Sequence, residues 1–500
     1  MTSRFLVFIL ILWTSCVSSP ESNKEQPPNI IFLFADDFTY TAIHALGNDI
    51  IQTPNLDKLV NGGVSFTHAY NMGGWHGAIC VASRSMIISG TSLWKAKDME
   101  TRWMAEEAQA ANQTWGKLLG DAGYDTYMSG KWHVQIPAEQ VFDVVRHIRP
   151  GMPPDYWVGN DTTWRKLSSA FQRGEDVMPM MPLGYNRPLH EQDTSWQAWD
   201  PQHGGFWQGG KHWSEVLKDD ALDFIEMAST EDQPFFMYLA FNAPHDPRQA
   251  PRSFLDLYPL DSVPLPENWL PEYPYKDSIG NTPLLRDEAL APYPRTPLAI
   301  KTHIREYYAI ISHLDHQIGL ILEALEAHGL AEDTYIFFTG DHGLSVGRHG
   351  LLGKQNLYDH SIRVPLVMTG PGIPAGKKVD AAVYLQDIMA TSLQIAGTEI
   401  PSFVDFRSFW DLATGATAHQ LWPEGMYGAY VDYQRMISKD GYKLMIYPPV
   451  GKVQLFDLKN DPQEMNNLAE VPEYKSKVDS LFQDLLKLQA QMGDELRLNK

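Results

Sequence analysis

Four short apolar runs, each followed directly by polar side chains, constrain the fold of this chain more than any other feature. The runs span residues 29–34, 124–128, 235–241 and 335–338. Each has the length of a strand and none alternates between apolar and polar residues, which indicates strands buried on both faces of a mainly parallel sheet. Helical patterns lie between them, at 113–122, 213–229 and 304–329. This alternation predicts an α/β fold in which helices sandwich a large, mainly parallel sheet.

The polar groups that follow these runs are expected to meet at one edge of the sheet. They are Asp36 with Asp37, Lys131 with His133, His245, and Asp341 with His342. In open α/β sheets, ligands bind beyond the carboxyl ends of the parallel strands. A turn or a helix cap would explain any one group alone, but four groups at one edge favour a common binding pocket.

The pattern changes near residue 400. Runs at 442–447 and 453–457 predict the two strands of a hairpin, and residues 473–492 predict an amphipathic helix. We therefore predict a catalytic domain at 28–398 and a small α+β subdomain with an antiparallel sheet at 399–500. Within the first domain, the stretch 247–297 is rich in Pro, Tyr and Asp and lacks periodicity. We interpret it as a long surface excursion over the pocket.

The charge of the chain bears on its partners. Its 500 residues include 61 acidic and 40 basic side chains, for a net charge of −21. Such a charge argues against a nucleic-acid partner, which would need a basic surface. An anionic substrate is still compatible with it, because charges beyond a Debye length of about 8–10 Å are largely screened from a local basic pocket.

The amino terminus predicts export. A nine-residue apolar run at 5–13 follows Arg4 and is too short to span a membrane, so residues 1–19 are interpreted as a signal peptide. The sequence around Cys16 resembles a bacterial lipoprotein cleavage site, which would anchor Cys16 to lipid. Ordinary cleavage near Ser18 or Ser19 would discard Cys16 instead. Either reading places the mature protein in the periplasm or on the surface of a bacterium.

The only other cysteine is Cys80, which excludes a disulfide framework. A helix beginning near Cys80 would point backbone N–H groups at an anion held there. Arg84 falls on the same face of such a helix, four residues later. The alternative reading is a buried and unreactive cysteine.

The acidic groups predict a metal site. Asp36, Asp37 and Asp341 offer hard oxygen ligands, which suit Ca²⁺ or Mg²⁺ better than zinc. Cations and proton donors around a tetrahedral anion would come from four further side chains: Lys131, His133, His245 and Lys354. A metal, cations and a helix amino terminus together suit the binding and cleavage of a sulfate or phosphate ester.

From about residue 28 to its end, the chain resembles the formylglycine-dependent sulfatases of the alkaline phosphatase-like superfamily. The family motif C-x-[P/A]-x-R is matched by C-V-A-S-R at 80–84. The other matching motifs are A-D-D at 35–37, T-P-N-L-D at 53–57, G-K-W-H at 130–133, A-P-H at 243–245, G-D-H-G at 340–343, G-K-Q-N at 353–356 and L-F-D-L-K-N-D-P-Q-E-M-N-N-L at 455–468. The Asp341-His342 pair is most similar to the iduronate-sulfatase-like branch and its bacterial polysaccharide sulfatases.

The resemblance implies a nucleophile and a metal. Cys80 would be oxidised by a formylglycine-generating maturation enzyme to formylglycine (3-oxoalanine), whose hydrate is the nucleophile. One Ca²⁺ would be bound by the modified Cys80 together with four other side chains: Asp36, Asp37, Asp341 and His342. Ala82 stands where the family more often has proline, which leaves open which maturation system modifies the site.

The resemblance also implies roles for the remaining residues. Arg84 and His133 would hold the hydrated aldehyde, and His133 would help to expel sulfate. Lys131 and Lys354 would bind sulfate oxygens, and His245 would protonate the leaving sugar oxygen. The expected enzyme is a sulfuric ester hydrolase acting on a sulfated polysaccharide or its oligosaccharides, either algal, such as ulvan or carrageenan, or a glycosaminoglycan.

Two alternatives remain open from the sequence. One is a phosphodiesterase or phosphonate monoester hydrolase of the same superfamily. The other is a glycan-binding lipoprotein with an inactive sulfatase fold. The aromatic stretch 73–77 before Cys80 is interpreted either as part of a sugar subsite or as a structural loop.

Overall fold

The computed structural model describes residues 27–149, 151, 156–157, 161–203, 207–208 and 210–499. The predicted signal peptide at 1–19, with Cys16, lies outside the described residues. Among the helices of the described part, none is long and apolar enough to cross a membrane.

The described strands and helices alternate through most of the chain. The strands are β1 (Asn29–Ala35), β2 (Val64–Tyr70), β3 (Gly73–Gly74), β4 (Asp125–Lys131), β5 (Val144–Arg149), β6 (Trp207–Gln208), β7 (Lys211–His212), β8 (Phe235–Ala240), β9 (Thr334–Gly340), β10 (Arg363–Thr369), β11 (Lys377–Val379), β12 (Val383–Tyr384), β13 (Met426–Tyr430), β14 (Gln434–Lys439), β15 (Tyr442–Tyr447) and β16 (Lys452–Asp457). The α-helices are α1 (Pro54–Gly62), α2 (Ile79–Ser89), α3 (Leu93–Met104), α4 (Ala108–Ala111), α5 (Trp115–Asp121), α6 (Asp161–Gln172), α7 (Trp213–Ala228), α8 (Arg252–Leu255), α9 (Pro297–Ala327), α10 (Asp359–Ile362), α11 (Asp387–Ile395), α12 (Trp410–Thr414) and α13 (Lys475–Gln491).

The large sheet has the strand order β11-β2-β10-β9-β1-β8-β4-β5, with β12 beside β2. Strand β10 is antiparallel to both of its neighbours, and the other pairs in this sheet are parallel. The predicted mainly parallel sheet is therefore confirmed. Because β1 lies between β8 and β9, its carboxyl end is at the centre of the sheet edge.

The burial of β1 explains why its sequence is apolar without alternation. Ile31 and Leu33 pack into the core formed with α7 and α9 on one face of the sheet. Phe32 and Phe34 pack into the core formed with α5 and α11 on the other face. Helices thus cover both faces, and every residue of β1 after Asn29 is buried.

A second sheet lies in the last quarter of the chain, with the order β16-β15-β14-β13-β3. Its four long strands are antiparallel, as the sequence predicts for a separate carboxyl-terminal sheet. The fifth strand, β3, comes from the segment just before Cys80 and pairs in parallel with β13. The predicted domain boundaries at 28–398 and 399–500 stay predictions.

Residues 285–287 of the stretch 247–297 line the pocket described below, as predicted, but the stretch is more buried than a surface excursion. Tyr258, Val263 and Ile279 are buried, so much of this stretch packs against the core. Helix α9 also begins at Pro297, seven residues before the predicted start. The Thr296 side chain accepts a hydrogen bond from the Ala299 N–H at 3.1 Å. Proline fits the first helical turn, where its missing N–H is not needed.

One glycine controls the approach of β4 to β8 directly before Lys131. Gly130 has φ +98°, and a Cβ placed there would lie 2.0 Å from the Ala240 carbonyl oxygen. We expect Gly130→Ala to lower the free energy of unfolding by about 3 kcal/mol, because both the backbone conformation and the contact oppose a side chain. Denaturant unfolding of the purified protein measures this change.

Gly120→Ala is the matched control for that substitution. Gly120 lies in α5, and a Cβ there would meet only the Thr126 Cγ2 at 3.9 Å. Alanine favours a helix over glycine, so this substitution should leave stability unchanged or raise it by up to about 1 kcal/mol. Equal losses in the two variants would contradict the steric argument for Gly130.

Candidate active site

The chain segments that leave the sheet edge are fixed to one another by main-chain hydrogen bonds. The Asp36 N–H donates to the Ala243 carbonyl oxygen at 3.1 Å, and the Asp341 N–H donates to the Ala35 carbonyl oxygen at 3.1 Å. These bonds continue the pairing of β1 with β8 and β9 beyond the strand ends. The polar groups after three strands are therefore held together, as the sequence predicts.

A pocket of 220 Å³ opens above this edge. Five of the six predicted catalytic side chains line it: Cys80, Lys131, His133, His245 and Lys354. The sixth, Arg84, is completely buried below the pocket. The structure thus brings the predicted catalytic residues from four separate segments to one place.

Cys80 is the second residue of α2, a helix in which every residue is buried. Its Sγ lies 3.3 Å from the His342 Nε2 and 3.5 Å from the Lys354 Nζ. Burial acts to raise the pKa of the thiol, but Lys131, Lys354 and His342 outweigh burial and hold that pKa well below its ordinary value. The site therefore stabilises an anion at the position of the Cys80 side chain.

Four donor groups converge beside Cys80 in a manner that fits a divalent cation. One ligand atom from each of Asp36, Asp37, Cys80 and His342 lies within 4.8 Å of the others. Among the described residues, the buried Asp36 Oδ1 and Asp37 Oδ2 have no hydrogen-bond partner. The His342 Nδ1 lies 3.0 Å from the Gly343 carbonyl oxygen, which leaves Nε2 to face the cluster. The two carboxylate oxygens without a hydrogen-bond partner are hard ligands of the kind that Ca²⁺ takes, and the oriented imidazole is a softer nitrogen donor beside them.

Asp341, the remaining predicted ligand, lies at the border of this group. Its Oδ1 is 3.5 Å from the His342 Nε2 and accepts a hydrogen bond from the Asp37 N–H at 3.1 Å. Its Oδ2 accepts a hydrogen bond from the Arg84 Nε at 3.1 Å. The ligand role of Asp341 stays a prediction.

Three buried cations neutralise these carboxylates. Lys131 pairs with Asp36, the Lys354 Nζ lies 2.7 Å from the Asp37 Oδ1, and Arg84 pairs with Asp341. Arg84 also donates to the Lys131 carbonyl oxygen at 2.8 Å, and its Nη2 has no hydrogen-bond partner among the described residues. The two lysines are thus shared between the metal cluster and the pocket, and Arg84 lies beneath them.

Two histidines line the pocket beyond the ends of two adjacent strands, β4 and β8. His133, at φ +56°, lines the pocket together with Cys80, and burial lowers the pKa of its imidazole. The His245 Nδ1 lies 2.7 Å from the Asp246 carbonyl oxygen, which leaves Nε2 on the side of Asp37, 3.9 Å from its Oδ2. Burial opposes protonation of His245, yet the carboxylates, led by Asp37, raise its pKa. His245 is therefore suited to carry a proton.

The sequence does not predict several side chains on the outer side of the pocket. They are Leu285, Arg286, Asp287 and Gln355. Arg286 forms a two-pronged ion pair with Asp246, the residue directly after His245, and also donates to Asp287 at 2.7 Å. Gln355 belongs to the G-K-Q-N motif, so the sequence contains a signal that could have identified it as a pocket residue. Arg286 lies in the stretch without periodicity, where spacing gives no signal.

In the aromatic stretch 73–77 before Cys80, the tryptophan has a structural role. Gly73 and Gly74 pair with Ala429 and Tyr430 of the second sheet. The Trp75 side chain is buried, and its Nε1 donates to the Glu100 Oε2 at 3.1 Å. Only Gly77, whose carbonyl oxygen accepts from Gln355 at 3.0 Å, reaches the pocket.

A second metal is disfavoured at the same site. Ligand atoms of Asp37, His245 and Asp246 also lie within 4.8 Å of one another. However, Arg286 already pairs with Asp246, and Lys354 already pairs with Asp37. The Lys354–Asp37 pair is common to both groups, so the difference lies at Asp246. Because Arg286 binds both carboxylate oxygens of Asp246, a second metal is disfavoured there.

The chain is similar to curated sulfatases along nearly its whole length. It is 28% identical to an arylsulfatase of Clostridium perfringens over 476 residues, covering 92% of this chain and 94% of that protein. It is 27% identical to an N-acetylglucosamine-6-O-sulfatase of Bacteroides thetaiotaomicron, covering 98% of this chain and 91% of that protein. It is 25% identical to an ulvan-active sulfatase of Formosa agariphila, covering 98% of this chain and 86% of that protein.

Solved structures share the fold. One is a protein in complex with its substrate D-glucosamine-2-N,6-O-disulfate, with a TM-score of 0.67 and 23% identity over 94% of this chain and 99% of that one. Another is a phosphonate monoester hydrolase of Agrobacterium radiobacter, with a TM-score of 0.67 and 20% identity over 93% and 96%. At these identities the likeness establishes the fold alone.

Two family models match the chain. Residues 347–491 match the model described as N-sulphoglucosamine sulphohydrolase, C-terminal. Residues 28–398 match the model described as Sulfatase. Because the second match covers well over half of its residues, the chain belongs to the sulfatase family and is a sulfuric ester hydrolase.

Proposed function

We propose that this protein is an exported sulfatase that removes sulfate from esters on a sulfated carbohydrate. The observation that carries the proposal is the pocket in which Cys80, two lysines and two histidines stand against a cluster of buried carboxylates. That set supplies a nucleophile position, cations for an anionic group and a proton donor for a leaving oxygen. Family membership supports assigning these elements to a sulfate ester.

The nucleophile in this proposal derives from Cys80. Oxidised to formylglycine by a maturation enzyme, the residue would supply an aldehyde hydrate, one hydroxyl of which attacks sulfur while the other later allows sulfate to leave. His133, which lines the same pocket as Cys80, would hold this group and accept its proton. Arg84, beneath it, fixes Lys131 and Asp341 around the same position.

Two lysines would bind the sulfate oxygens. The Lys354 Nζ lies 3.5 Å from the Cys80 Sγ and 2.7 Å from Asp37, so it reaches the nucleophile position and the metal cluster alike. Lys131 pairs with Asp36 on the other side. A Ca²⁺ held by Asp36, Asp37, Asp341 and His342 would add positive charge beside the transferred group.

His245 would act as the general acid. Its Nδ1 is engaged by the Asp246 carbonyl oxygen, so Nε2 is the nitrogen available to a leaving oxygen. The pair of Arg286 and Asp246 fixes the residue next to it. Proton donation from Nε2 matters because a sugar alkoxide is a poor leaving group.

The names of relatives support the carbohydrate class of the substrate. One relative is an N-acetylglucosamine-6-O-sulfatase and another is an ulvan-active sulfatase. We therefore propose a sulfated polysaccharide or its oligosaccharides, algal or of the glycosaminoglycan type. The apolar run at 5–13 supports export to the periplasm or cell surface of a bacterium, with a lipid anchor on Cys16 if cleavage follows the lipoprotein pattern.

The phosphonate monoester hydrolase alternative is favoured by one observation, the fold shared with the Agrobacterium enzyme. A panel of defined sulfated oligosaccharides and an aryl phosphonate monoester separates the two proposals. We expect loss of sulfate from at least one oligosaccharide and slower turnover of the phosphonate. Turnover of the phosphonate alone would replace the sulfatase proposal.

We expect Cys80 to be indispensable once the protein has been co-expressed with a formylglycine-generating enzyme. Cys80→Ala should lower kcat by about a thousandfold or more, because the nucleophile is removed. Mass spectrometry of the peptide containing Cys80 should show the aldehyde in place of the thiol. Ser85→Ala, on the same helix, is the control, since the Ser85 hydroxyl is buried and has no hydrogen-bond partner in the described part of the chain. An unmodified thiol together with glycan binding would favour the inactive lipoprotein alternative.

We expect one tightly bound calcium ion per chain. Asp37→Asn should abolish stoichiometric calcium in elemental analysis and the rise in melting temperature on calcium addition, because a metal ligand loses its charge. Asp220→Asn is the control: this buried carboxylate accepts from Ser129 on the same sheet but lies outside the cluster. Two equivalents of zinc per chain would contradict the one-metal site.

We expect His245→Ala to separate two substrate classes. It should lower the rate on a sulfated sugar by about 10²–10⁴-fold and the rate on an activated aryl sulfate far less, since an acidic phenol leaves without protonation. His303→Ala is the control: His303 is buried outside the pocket and bonds the Arg187 and Leu290 carbonyl oxygens. Equal losses on both substrates for His245→Ala would contradict its role as general acid.

A further inference from the structure

A second cavity lies outside the candidate active site and is larger than it, with a volume of 290 Å³. Its walls include Arg187, Trp196 and Trp199 from one segment, and Arg252, Arg305 and Glu306 from α8 and α9. Among the described residues that line it, none is a predicted catalytic or metal-binding residue. A small cavity of 10 Å³ shares Arg187 and Trp196 with it and is also lined by Asp246, the residue after His245.

The segment that carries the two tryptophans is fixed at both ends. The Arg187 N–H donates to the Leu290 carbonyl oxygen, and the Arg187 guanidinium forms two bonds to Glu306, at 2.6 and 2.7 Å. At the other end, the Ala250 N–H donates to the Ala198 carbonyl oxygen at 3.1 Å. The cavity wall is therefore held in place before any ligand binds, which lowers the cost of binding.

The cavity offers an aromatic surface supported by arginines. The Trp199 side chain is 38% exposed, and the Arg252 guanidinium lies 5.4 Å from the centre of its ring. Trp196 is buried, with the Arg187 guanidinium 5.1 Å from its ring. Trp199 thus presents indole surface to the solvent at the cavity, while Trp196 forms part of the wall behind it.

Arginines, which donate hydrogen bonds, and carboxylates, which accept them, both surround this surface. Arg305 donates from Nε and Nη2 to the Leu255 carbonyl oxygen, and no carboxylate of the described residues lies within 4.0 Å of it. The lining also contains the exposed Glu191. In all, three arginines and four carboxylates line the cavity, so its net charge is close to zero. Such a lining does not select an anion.

We propose that this cavity is a second carbohydrate-binding site, which takes an uncharged, hydroxyl-rich part of the same polysaccharide whose sulfated residue enters the active site. The C–H face of a sugar ring packs on the negative face of an indole, here that of Trp199. Ring hydroxyls accept from Arg305 and donate to Glu191. This inference rests on the proposed carbohydrate substrate. A second site of this kind would retain a long polysaccharide near the active site, which raises the local substrate concentration.

The test is affinity electrophoresis of the full chain carrying Cys80→Ala, which prevents hydrolysis during the run. The native gels contain carrageenan, ulvan, heparin or unsulfated dextran. We expect retardation on at least one gel, and Trp199→Ala should weaken it about three- to tenfold. Trp199→Phe should restore much of it, because an aromatic face remains. Thermal unfolding of each variant checks that the fold is kept.

Trp164→Ala is the matched control, since Trp164 is 45% exposed on α6 and does not line the cavity. It should keep the retardation of its parent. Equal retardation of the Trp199→Ala and Trp164→Ala proteins, or no retardation of the parent on any gel, would overturn the proposal. With Cys80 intact and matured, Trp199→Ala should hydrolyse a small aryl sulfate within about twofold of the parent rate. Failure of the proposed function would be seen separately, as the absence of desulfation of any sulfated oligosaccharide.

Discussion

The pairing of buried carboxylates with buried cations at the sheet edge is the interaction on which the rest of this structure depends. Asp36, Asp37 and Asp341 are all completely buried, and an isolated buried carboxylate would cost several kcal/mol. Arg84, Lys131 and Lys354 offset that cost by direct ion pairs. Each partner comes from a different segment, so the charges can be neutralised only when the sheet, α2 and the following loops are in place together.

The second sheet extends this dependence to the end of the chain. Lys443 of β15 is completely buried and pairs with Asp359 of α10 and with Glu464, whose Oε1 lies 2.7 Å from the Lys443 Nζ. The Leu357 N–H donates to the Gln434 side chain at 3.1 Å. These contacts fix Leu357 and Asp359, which lie in the segment that leads from Lys354 to β10. The carboxyl-terminal sheet therefore helps to hold a pocket lysine at its place without contributing a predicted catalytic residue itself.

The sequence predicts the sheet and most of the pocket because both are encoded locally. A buried parallel strand produces an apolar run, and the residue after it lies at the ligand-binding edge, which is enough to place Asp36, Lys131, His245 and Asp341. Arg286 and the cavity beside Trp199 are not encoded in this way. They depend on contacts between distant segments, such as Arg286 with Asp246 and Ala198 with Ala250, for which residue spacing gives no signal.

The count of charges in the pocket bears on the choice between one metal and two. A phosphate monoester carries two negative charges when fully ionised, whereas a sulfate monoester carries one, so less positive charge is required to hold it. The arrangement of protein cations matches the smaller requirement.

Arg286 takes the carboxylate of Asp246, which a second metal would otherwise use, and leaves His245 without a metal to bind. An imidazole that does not ligate a metal keeps Nε2 for a proton, and a sugar leaving group needs that proton. In the proposed mechanism, the same ion pair would thus disfavour a second metal and keep His245 available as the general acid. A phosphonate monoester is likewise singly charged, so charge alone does not separate it from a sulfate ester. The two esters differ in the transferred group, where a phosphonate has a carbon substituent in place of one sulfate oxygen. The proposed sulfate-binding lysines, Lys131 and Lys354, are therefore the residues that bear on this separation.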